Sequence, residues 1–539
     1  LPARPAPARV STHSRPPGSA CRGRGPDPAS ARCAGHQTRM SLKRHLTPYL
    51  VPSIADLLQA ALLCALFFTT PSQLLQDGDT GYHIRAGEVI LRTGTVPLYD
   101  LFSQHAPPLP WTAHEWLAEV IMALVHQAAG MSGVVALYAL LLALTFRLLF
   151  KALLSYGNGV LPAAAVTLTT LICSKMHWLA RPHLFSFLFL VLFHYLLESW
   201  RSKGGGRLWL LPPLMLLWAN LHGGFAAGFL LLGAYLAGTA AGMIGAAAGE
   251  SAMVRGRIRQ LLGVLLACLA ATVVNPYGWR LLLFPLRLVS DRYLMDHVAE
   301  FLPPAVHGWP PFTWLLLVLI TLFARSPRKA EPTELLLVLG FGYMALTSVR
   351  YIPLFGLVTA PALAARLDDL LQGSGRWGCR LREVSARLAL LEQRARPPVW
   401  GAVAVAVVTA AAAAGLVRHA FDRHLMPVDA YQFVLRQGIK GKVFNSDEFG
   451  DYLIYRGYPD CRVFIDGRLD MYGAQRLREY NEVIEFRPGW DQVLQRYGIR
   501  WVIFEADSRF ARFLEQRSEW QLVYRDKVAK VFLKKQVPR

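Results

Sequence analysis

Two carboxylates one residue apart, Asp77 and Asp79, open a stretch in which ionisable side chains crowd together: His83, Arg85, Glu88, His114 and Glu115 follow. The stretch begins where a strongly apolar run stops, and ionisable groups at the mouth of a membrane helix are costly to place. Further polar segments interrupt later apolar runs: Arg181-Pro182-His183, Asn220-Leu221-His222-Gly223-Gly224 and Arg350-Tyr351. The chemistry such a set offers is acid–base work by a carboxylate, with cations to hold a charged leaving group.

Each residue also has a purely structural reading. Asp79 precedes Thr80-Gly81-Tyr82-His83, where a helix starts, so it can serve as an N-cap. Asp77-Gly78 is a good turn pair. Glu88 pairs with Arg85 and Arg92, at i−3 and i+4 on a polar helix face. His114-Glu115 opens an amphipathic helix, where an acid suits the dipole. Arg181 and Arg350 can be interfacial anchors that snorkel, while glycines beside His222 allow close approach of backbone or ligand. For Asp77 and Asp79 together, two carboxylates at one membrane mouth favour the functional reading.

The elements that must position these residues are membrane helices. Of 539 residues, 53% are hydrophobic and 17% charged, too apolar for an ordinary soluble protein. Apolar runs of about 16–24 residues recur along the chain, the mark of a polytopic helix bundle. The net charge of +21 sits mostly in short Arg and Lys clusters between those runs. That is the positive-inside pattern, and it argues against a face for nucleic acid. Alternate runs end in basic clusters such as Arg147 with Lys151, Arg201 with Lys203, and Arg325 with Arg328. The alternation predicts about eleven spans, N-terminus inside and C-terminus outside. The candidate residues then fall in outer loops, the first covering residues 76–132. Within it Trp116, Leu117, Val120, Ile121, Leu124 and Val125 follow helical spacing, which predicts an amphipathic helix lying at the outer surface.

The expected transmembrane part, residues 40–424, lies between two other segments. Residues 1–39 are rich in Pro, Ala, Arg and Ser and cannot bury enough apolar surface to order themselves. The expectation is a disordered or mis-annotated extension, with Met40 as the natural start. From 425 to 539 the short strands Val443-Phe444-Asn445, Val463-Phe464-Ile465 and Trp501-Val502-Ile503-Phe504 alternate with helical stretches and end in a hairpin. This predicts a small extracytoplasmic α/β domain. Its segment Asp466-Gly467-Arg468 reads as a functional loop or as a local salt-bridged turn. Seven cysteines without paired spacing give neither a disulfide framework nor a zinc site. The fold class is mainly α: a polytopic membrane helix bundle with a C-terminal α/β domain.

The order of these parts resembles the GT-C superfamily of membrane glycosyltransferases, in its acidic first outer loop with amphipathic helices, basic second loop, many spans and C-terminal domain. More closely, the chain is similar to a group of bacterial multi-spanning membrane proteins. The shared stretches read here Asp77-Gly78-Asp79-Thr80-Gly81-Tyr82-His83, His114-Glu115-Trp116-Leu117-Ala118-Glu119, Trp218-Ala219-Asn220-Leu221-His222-Gly223 and Val463-Phe464-Ile465-Asp466-Gly467-Arg468. The resemblance implies transfer of a sugar from a polyprenyl-phosphate carrier to a glycan, lipid or protein acceptor, at the outer face of the bacterial cytoplasmic membrane. Carried over, Asp77 or Asp79 takes the role of base, and Glu115 is a further catalytic candidate. His83, Arg85, His114, Arg181, His183, Asn220, His222, Arg350 and Tyr351 are the substrate-binding candidates, with the arginines suited to the lipid phosphate. Better-known relatives often carry Asp-Glu where Asp-Gly-Asp stands here. An Asp-x-Asp pair can ligate Mg2+ or Mn2+ through its oxygens, which leaves a divalent ion at Asp77 and Asp79 open.

Two other readings compete. A transporter or flippase of a lipid-linked substrate predicts ionisable groups near helix midpoints and an inverted repeat, which the nearly charge-free spans do not show. A non-catalytic envelope assembly factor, with the α/β tail as its binding module, tolerates loss of both aspartates.

Overall fold

The computed structural model describes residues 51–535 apart from 71–72, 205, 245–247, 308–309, 374 and 395–397. The expectations for residues 1–39 and Met40 lie outside them. The first helix, α1 (Ile54–Cys64), is started by a capping box in which the Ser53 side chain accepts from the Asp56 N–H, and it runs on through a π turn (Ala65–Thr69). Then come α2 (Asp79–Thr93) and α3 (Trp116–Ser155). The bundle continues with α4 (Val160–Ser174), α5 (His183–Lys203), α6 (Leu211–Leu221), α7 (Ala226–Ala241) and α8 (Ala248–Val273). Two short helices, α9 (Arg280–Ser290) and α10 (Arg292–His297), lead to α11 (Pro311–Arg325), α12 (Pro332–Thr347), α13 (Ile352–Gly373), α14 (Gly375–Arg394) and α15 (Val399–Ala413).

Every apolar run expected to span a membrane folds as a helix. Among the described residues, five helical segments are long and apolar enough to cross one, and five shorter apolar helices accompany them. The chain is an integral membrane protein. The 40 residues of α3 are two helices joined at Ala129 and Gly130, where Gly130 takes φ 59°, a conformation that glycine adopts without strain. The expected amphipathic helix is the half before this break. The face it buries on α2 is not the expected stripe but Ala118, Glu119, Met122 and Ala123; of the stripe, Trp116, Leu117, Val120, Ile121 and Val125 are half-buried and Leu124 is exposed. Gly87 permits the contact, since a Cβ there would strike the Glu119 carbonyl.

After α15 the chain changes character. It forms α16 (Val428–Arg436), β1 (Val443–Asn445), α17 (Asp447–Gly457), α18 (Leu469–Ile484), α19 (Trp490–Arg496), β2 (Trp501–Glu505), α20 (Arg509–Leu514), β3 (Trp520–Arg525) and β4 (Ala529–Lys534). The sheet order is β1-β2-β4-β3. β1 is parallel to β2, with Val443 opposite Trp501, and β4 is antiparallel to both its neighbours. One expected strand is corrected: Val463-Phe464-Ile465 does not join this sheet. Instead Val463 N–H donates to the Phe102 carbonyl at 3.1 Å, and Gln104 N–H donates to the Val463 carbonyl at 2.9 Å. Val463 thus satisfies its backbone on the first loop, a partner far away in sequence that no local pattern announces, while the Phe464 N–H and the Ile465 carbonyl are met by the Asn445 side chain.

One continuous apolar cluster reaches from the bundle, with Tyr138, Phe193 and Trp218, into α17 and the sheet, with Phe449, Leu453 and Ile503. A second cluster fills the other side of the sheet around Phe444, Val502, Phe510 and Phe532. Burial of apolar surface is the main favourable term in folding, so the first cluster ties the C-terminal unit to the helices that carry the first loop.

Candidate active site

α2 starts directly after the turn at Asp77-Gly78. Asp77 Oδ1 accepts the Asp79 backbone N–H at 3.2 Å, so Asp77 makes the turn. Gly78 is the N-cap, Asp79 is the first helical residue, and no side chain caps this helix. The N-cap reading of Asp79 therefore falls away. Its carboxylate turns to Arg181, just ahead of α5, at 3.0 Å; the same guanidinium ion-pairs with Asp77 and with Glu300, the latter at 2.7 Å. Arg350 lies 3.6 Å from Glu300.

On its other side Asp79 meets Asp451 of α17. The Gly467 N–H donates to Asp451 Oδ2 at 2.9 Å. A Cβ on Gly467 would sit 2.7 Å from Asp79 Oδ1 and 2.9 Å from Asp451 Oδ2, which leaves no room for a larger residue. Burial pushes Asp79 up to about 7, opposed by Arg181 and reinforced by Asp77 and Glu300. Asp451, buried and facing Asp79 and Asp466, is held well above the usual carboxylate range. Their mutual hydrogen bond lowers Asp79 and raises Asp451, so of the two Asp451 keeps its proton to the higher pH. Glu300 goes the other way: burial works against its charge, yet Arg181 and Arg350 hold it down at about 2. Asp77 and Asp79 thus present their oxygens to a guanidinium. Mg2+ or Mn2+ held between them would face the Arg181 charge, so this donor set does not fit such an ion.

Glu115, just before α3, is ringed by imidazoles. His222 Nε2 lies 3.3 Å away, and His83 Nε2 and His114 Nε2 each lie 3.7 Å away. The tautomer of His222 is set by its surroundings. Its Nδ1 receives the Gly224 N–H at 2.8 Å and the Ser186 hydroxyl at 2.7 Å, and Ser186 itself accepts the Trp218 indole N–H at 2.7 Å. The ring proton must then be on Nε2, directed at Glu115. His83 lies against the Tyr82 ring, centroids 4.0 Å apart, and its Nδ1 is 3.3 Å from Glu119 Oε1. His183 flanks this cluster: its Nε2 donates to the His177 carbonyl at 2.8 Å and its ring lies 6.4 Å from that of His222.

A third cluster joins the first loop to the C-terminal unit. Arg468 pairs with Asp466 at 2.7 Å and Asp100 at 2.9 Å, and the Tyr472 hydroxyl donates to Asp466 at 2.6 Å. The guanidinium also lies over Trp111 at 4.8 Å and Phe102 at 5.0 Å. With Arg468 only 2% exposed, the segment Asp466-Gly467-Arg468 is no surface turn. It is a buried clasp.

Of the residues singled out in the sequence, the structure gathers Asp77, Asp79, Arg181 and Arg350 around Glu300, and His83, His114 and His222 around Glu115. It sets two apart. Arg85 donates to the Tyr455 carbonyl at 2.7 Å and pairs with Glu88 at 2.5 Å, on the expected polar face. Asn220 accepts the Trp116 indole N–H at 2.9 Å and donates to the Leu216 and Val274 carbonyls, tying helix ends together. Tyr351 closes the single turn Val349–Tyr351 beside Arg350. Sequence reasoning missed Asp451, Gly467 and Glu119 as site residues. Glu119 had a signal, its i,i+4 spacing from Glu115 on one helix face; Asp451 had none.

No protein-family profile and no curated protein sequence matches the chain. Solved structures do, and what they share with this chain is the fold, the GT-C fold seen in polyprenyl-phosphate-sugar-dependent membrane glycosyltransferases. In particular, the chain is similar to the apo oligosaccharyltransferase of Archaeoglobus fulgidus, with TM-score 0.51 and 11% identity over 85% of this chain and 70% of that one. The AglB structure from the same organism, in complex with an inhibitory peptide and a dolichol-phosphate, gives 0.51 at 12% identity over 85% and 70%. Apo ArnT from Cupriavidus metallidurans gives 0.50 at 13% identity over 88% and 97%. At such identities the likeness defines the fold.

Proposed function

We propose that this protein is a membrane glycosyltransferase that moves a sugar from a polyprenyl-phosphate carrier to an acceptor hydroxyl or amide, with Asp79 as the base. The observation that carries the reading is Asp79 itself, a carboxylate raised to about 7 that sits beside Arg181 and Glu300 at one end of a GT-C helix bundle. A base is most useful when its pKa lies near the working pH, and such catalysis contributes about two to four orders of magnitude in rate. The lipid carrier is supported by AglB, whose structure holds a dolichol-phosphate alongside an inhibitory peptide.

In this reading the acceptor proton passes to Asp79 as the acceptor atom attacks the anomeric carbon. The bond from that carbon to the phosphate oxygen breaks, and the polyprenyl phosphate leaves with the electron pair. In-line attack inverts the anomeric centre. Arg181 is already engaged by three carboxylates, so its part is to fix Asp77 and Asp79. Arg350, 34% exposed at its side chain, makes one long ion pair, to Glu300, and lies over the Phe301 ring at 5.4 Å, which leaves it the better partner for the phosphate. The site faces outward, the N-terminus is cytoplasmic, and residues 425–539 form an extracytoplasmic domain that closes over the first loop.

The test is transfer by purified protein in detergent, using a panel of radiolabelled polyprenyl-phosphate sugars. Transfer that is abolished in Arg350→Gln through a raised KM for the lipid supports the assignment. Turnover indifferent to both Arg350 and Asp79 removes it.

A further inference from the structure

We propose that His83, Glu115 and Glu119 form a binding site for one divalent transition-metal ion of the zinc type, separate from the Asp77–Asp79–Arg181 cluster. These three residues come from the body of α2 and the start of α3, and one ligand atom of each lies within 4.8 Å of the others. All three are buried. In a tetrahedral site with bonds of about 2.0–2.1 Å, ligand atoms stand about 3.3–3.4 Å apart. One His83 nitrogen faces each carboxylate, Nδ1 at 3.3 Å from Glu119 Oε1 and Nε2 at 3.7 Å from Glu115 Oε2, so whichever nitrogen binds the ion, the farther carboxylate must be drawn in from within 4.8 Å.

Hydrogen-bond accounting points to a cation. Among the described residues, the only basic groups within 4.0 Å of either carboxylate are imidazoles. Glu119 Oε2 is buried with no partner, and a carboxylate oxygen in that position demands one. His83 faces a carboxylate with each ring nitrogen, yet a neutral imidazole carries one N–H, so one face sets a lone pair against a carboxylate. His114 repeats the conflict. Its Nδ1 must donate to the Thr112 carbonyl at 3.1 Å, which leaves the Nε2 lone pair directed toward Glu115 at 3.7 Å. A metal ion held by His83, Glu115 and Glu119 gives the two carboxylates a cation and lets His83 coordinate through one nitrogen and donate through the other.

The surroundings also match what a metal-bound ligand needs. Ligating side chains are held by hydrogen bonds from behind, and the chain Trp218–Ser186–His222 delivers an N–H to Glu115 at 3.3 Å. His222 is thereby an orienting donor, not a ligand. A mixed imidazole and carboxylate set suits Zn2+, and Mn2+ or Fe2+ less well, in preference to an all-oxygen ion such as Ca2+. His114 is the nearest further nitrogen able to enter the coordination sphere.

The experiment is elemental analysis of the full-length protein purified in detergent, followed by chelation and titration with Zn2+ or Mn2+ while thermal unfolding is recorded. The expected result is near-stoichiometric metal in the wild type, release by chelator, and a rise in unfolding temperature when Zn2+ is restored. His83→Gln and the isosteric Glu119→Gln should lose both the metal and the thermal response, whereas Asp77→Asn keeps them. A folded wild type that carries no ion and shows no response to Zn2+ overturns the site and leaves a proton-bridged Glu119–His83–Glu115 cluster. Retention of full metal by Glu119→Gln overturns the ligand set. Neither readout involves sugar transfer, so failure here is distinct from failure of the proposed reaction.

Discussion

At the scale of single residues, Asp77 and Asp79 do different work although they are one residue apart. Asp77 closes the turn and grips Arg181, whereas Asp79 stands between that guanidinium and the Asp451 carboxyl. Transfer that depends on an anionic Asp79 should rise with pH through about 7. Glu448, likewise raised to about 7 by burial and by Asp447, lies near enough to Asp77 for the profile to report the group and not one residue. Two variants separate the charges. Asp77→Asn removes a negative neighbour and should move the midpoint of a kcat/KM–pH profile down; Arg181→Gln removes a positive one and should move it up. The stability effect has the opposite sense. A carboxyl raised in the folded state stabilises fully below its unfolded value, near pH 4, and that contribution is lost as pH rises through about 7. Thermal unfolding followed between these values should show the decline, and Asp79→Asn should flatten it.

At the scale of elements, close approach of backbone decides how the site is built. α2 touches α3 through Gly87 and α17 through Gly81, where a Cβ would meet the Tyr455 Cβ at 2.6 Å. Gly467 brings the loop after Ile465 against both Asp79 and Asp451. Gly467→Ala inserts a methyl group into that contact and should destabilise by about 1–3 kcal/mol, as overpacking does, with loss of transfer; chemical denaturation and the transfer assay together check it. Arg468→Ala acts more severely. It leaves Asp466 and Asp100 as buried carboxylates without a counter-ion, an uncompensated state that costs about 3–5 kcal/mol, measurable as a fall in unfolding temperature. The helices were legible from apolar runs, and the break at Ala129-Gly130 from the amphipathic pattern that precedes it. The turn at Asp77 was legible from Asp-Gly. The docking of Val463 on Phe102 was not, nor was the meeting of Asp79 with Asp451, because each partner lies hundreds of positions away and only the three-dimensional packing brings them together. The Asp466-Gly467-Arg468 segment was readable as charged, but its burial depends on Trp111 and Asp100, which its own neighbourhood does not reveal.

At the scale of the whole molecule, the C-terminal unit is part of the site and not an appendage. It supplies Asp451 and Gly467, clasps the first loop through Arg468, and shares an apolar cluster with the bundle. A chain ending at residue 424 keeps every apolar helix of the bundle and should still insert in membranes, yet it should show no transfer; the same chain with residues 425–539 supplied in trans is the complementary arm. The central claim is that one carboxylate of the first loop does the chemistry. Its most direct test is the single-turnover rate of sugar transfer by Asp79→Asn against wild type, with folding verified by unfolding temperature. The account predicts a loss of about 100-fold or more in a folded protein, with Asp77→Asn less affected. Wild-type turnover by a folded Asp79→Asn protein would contradict it.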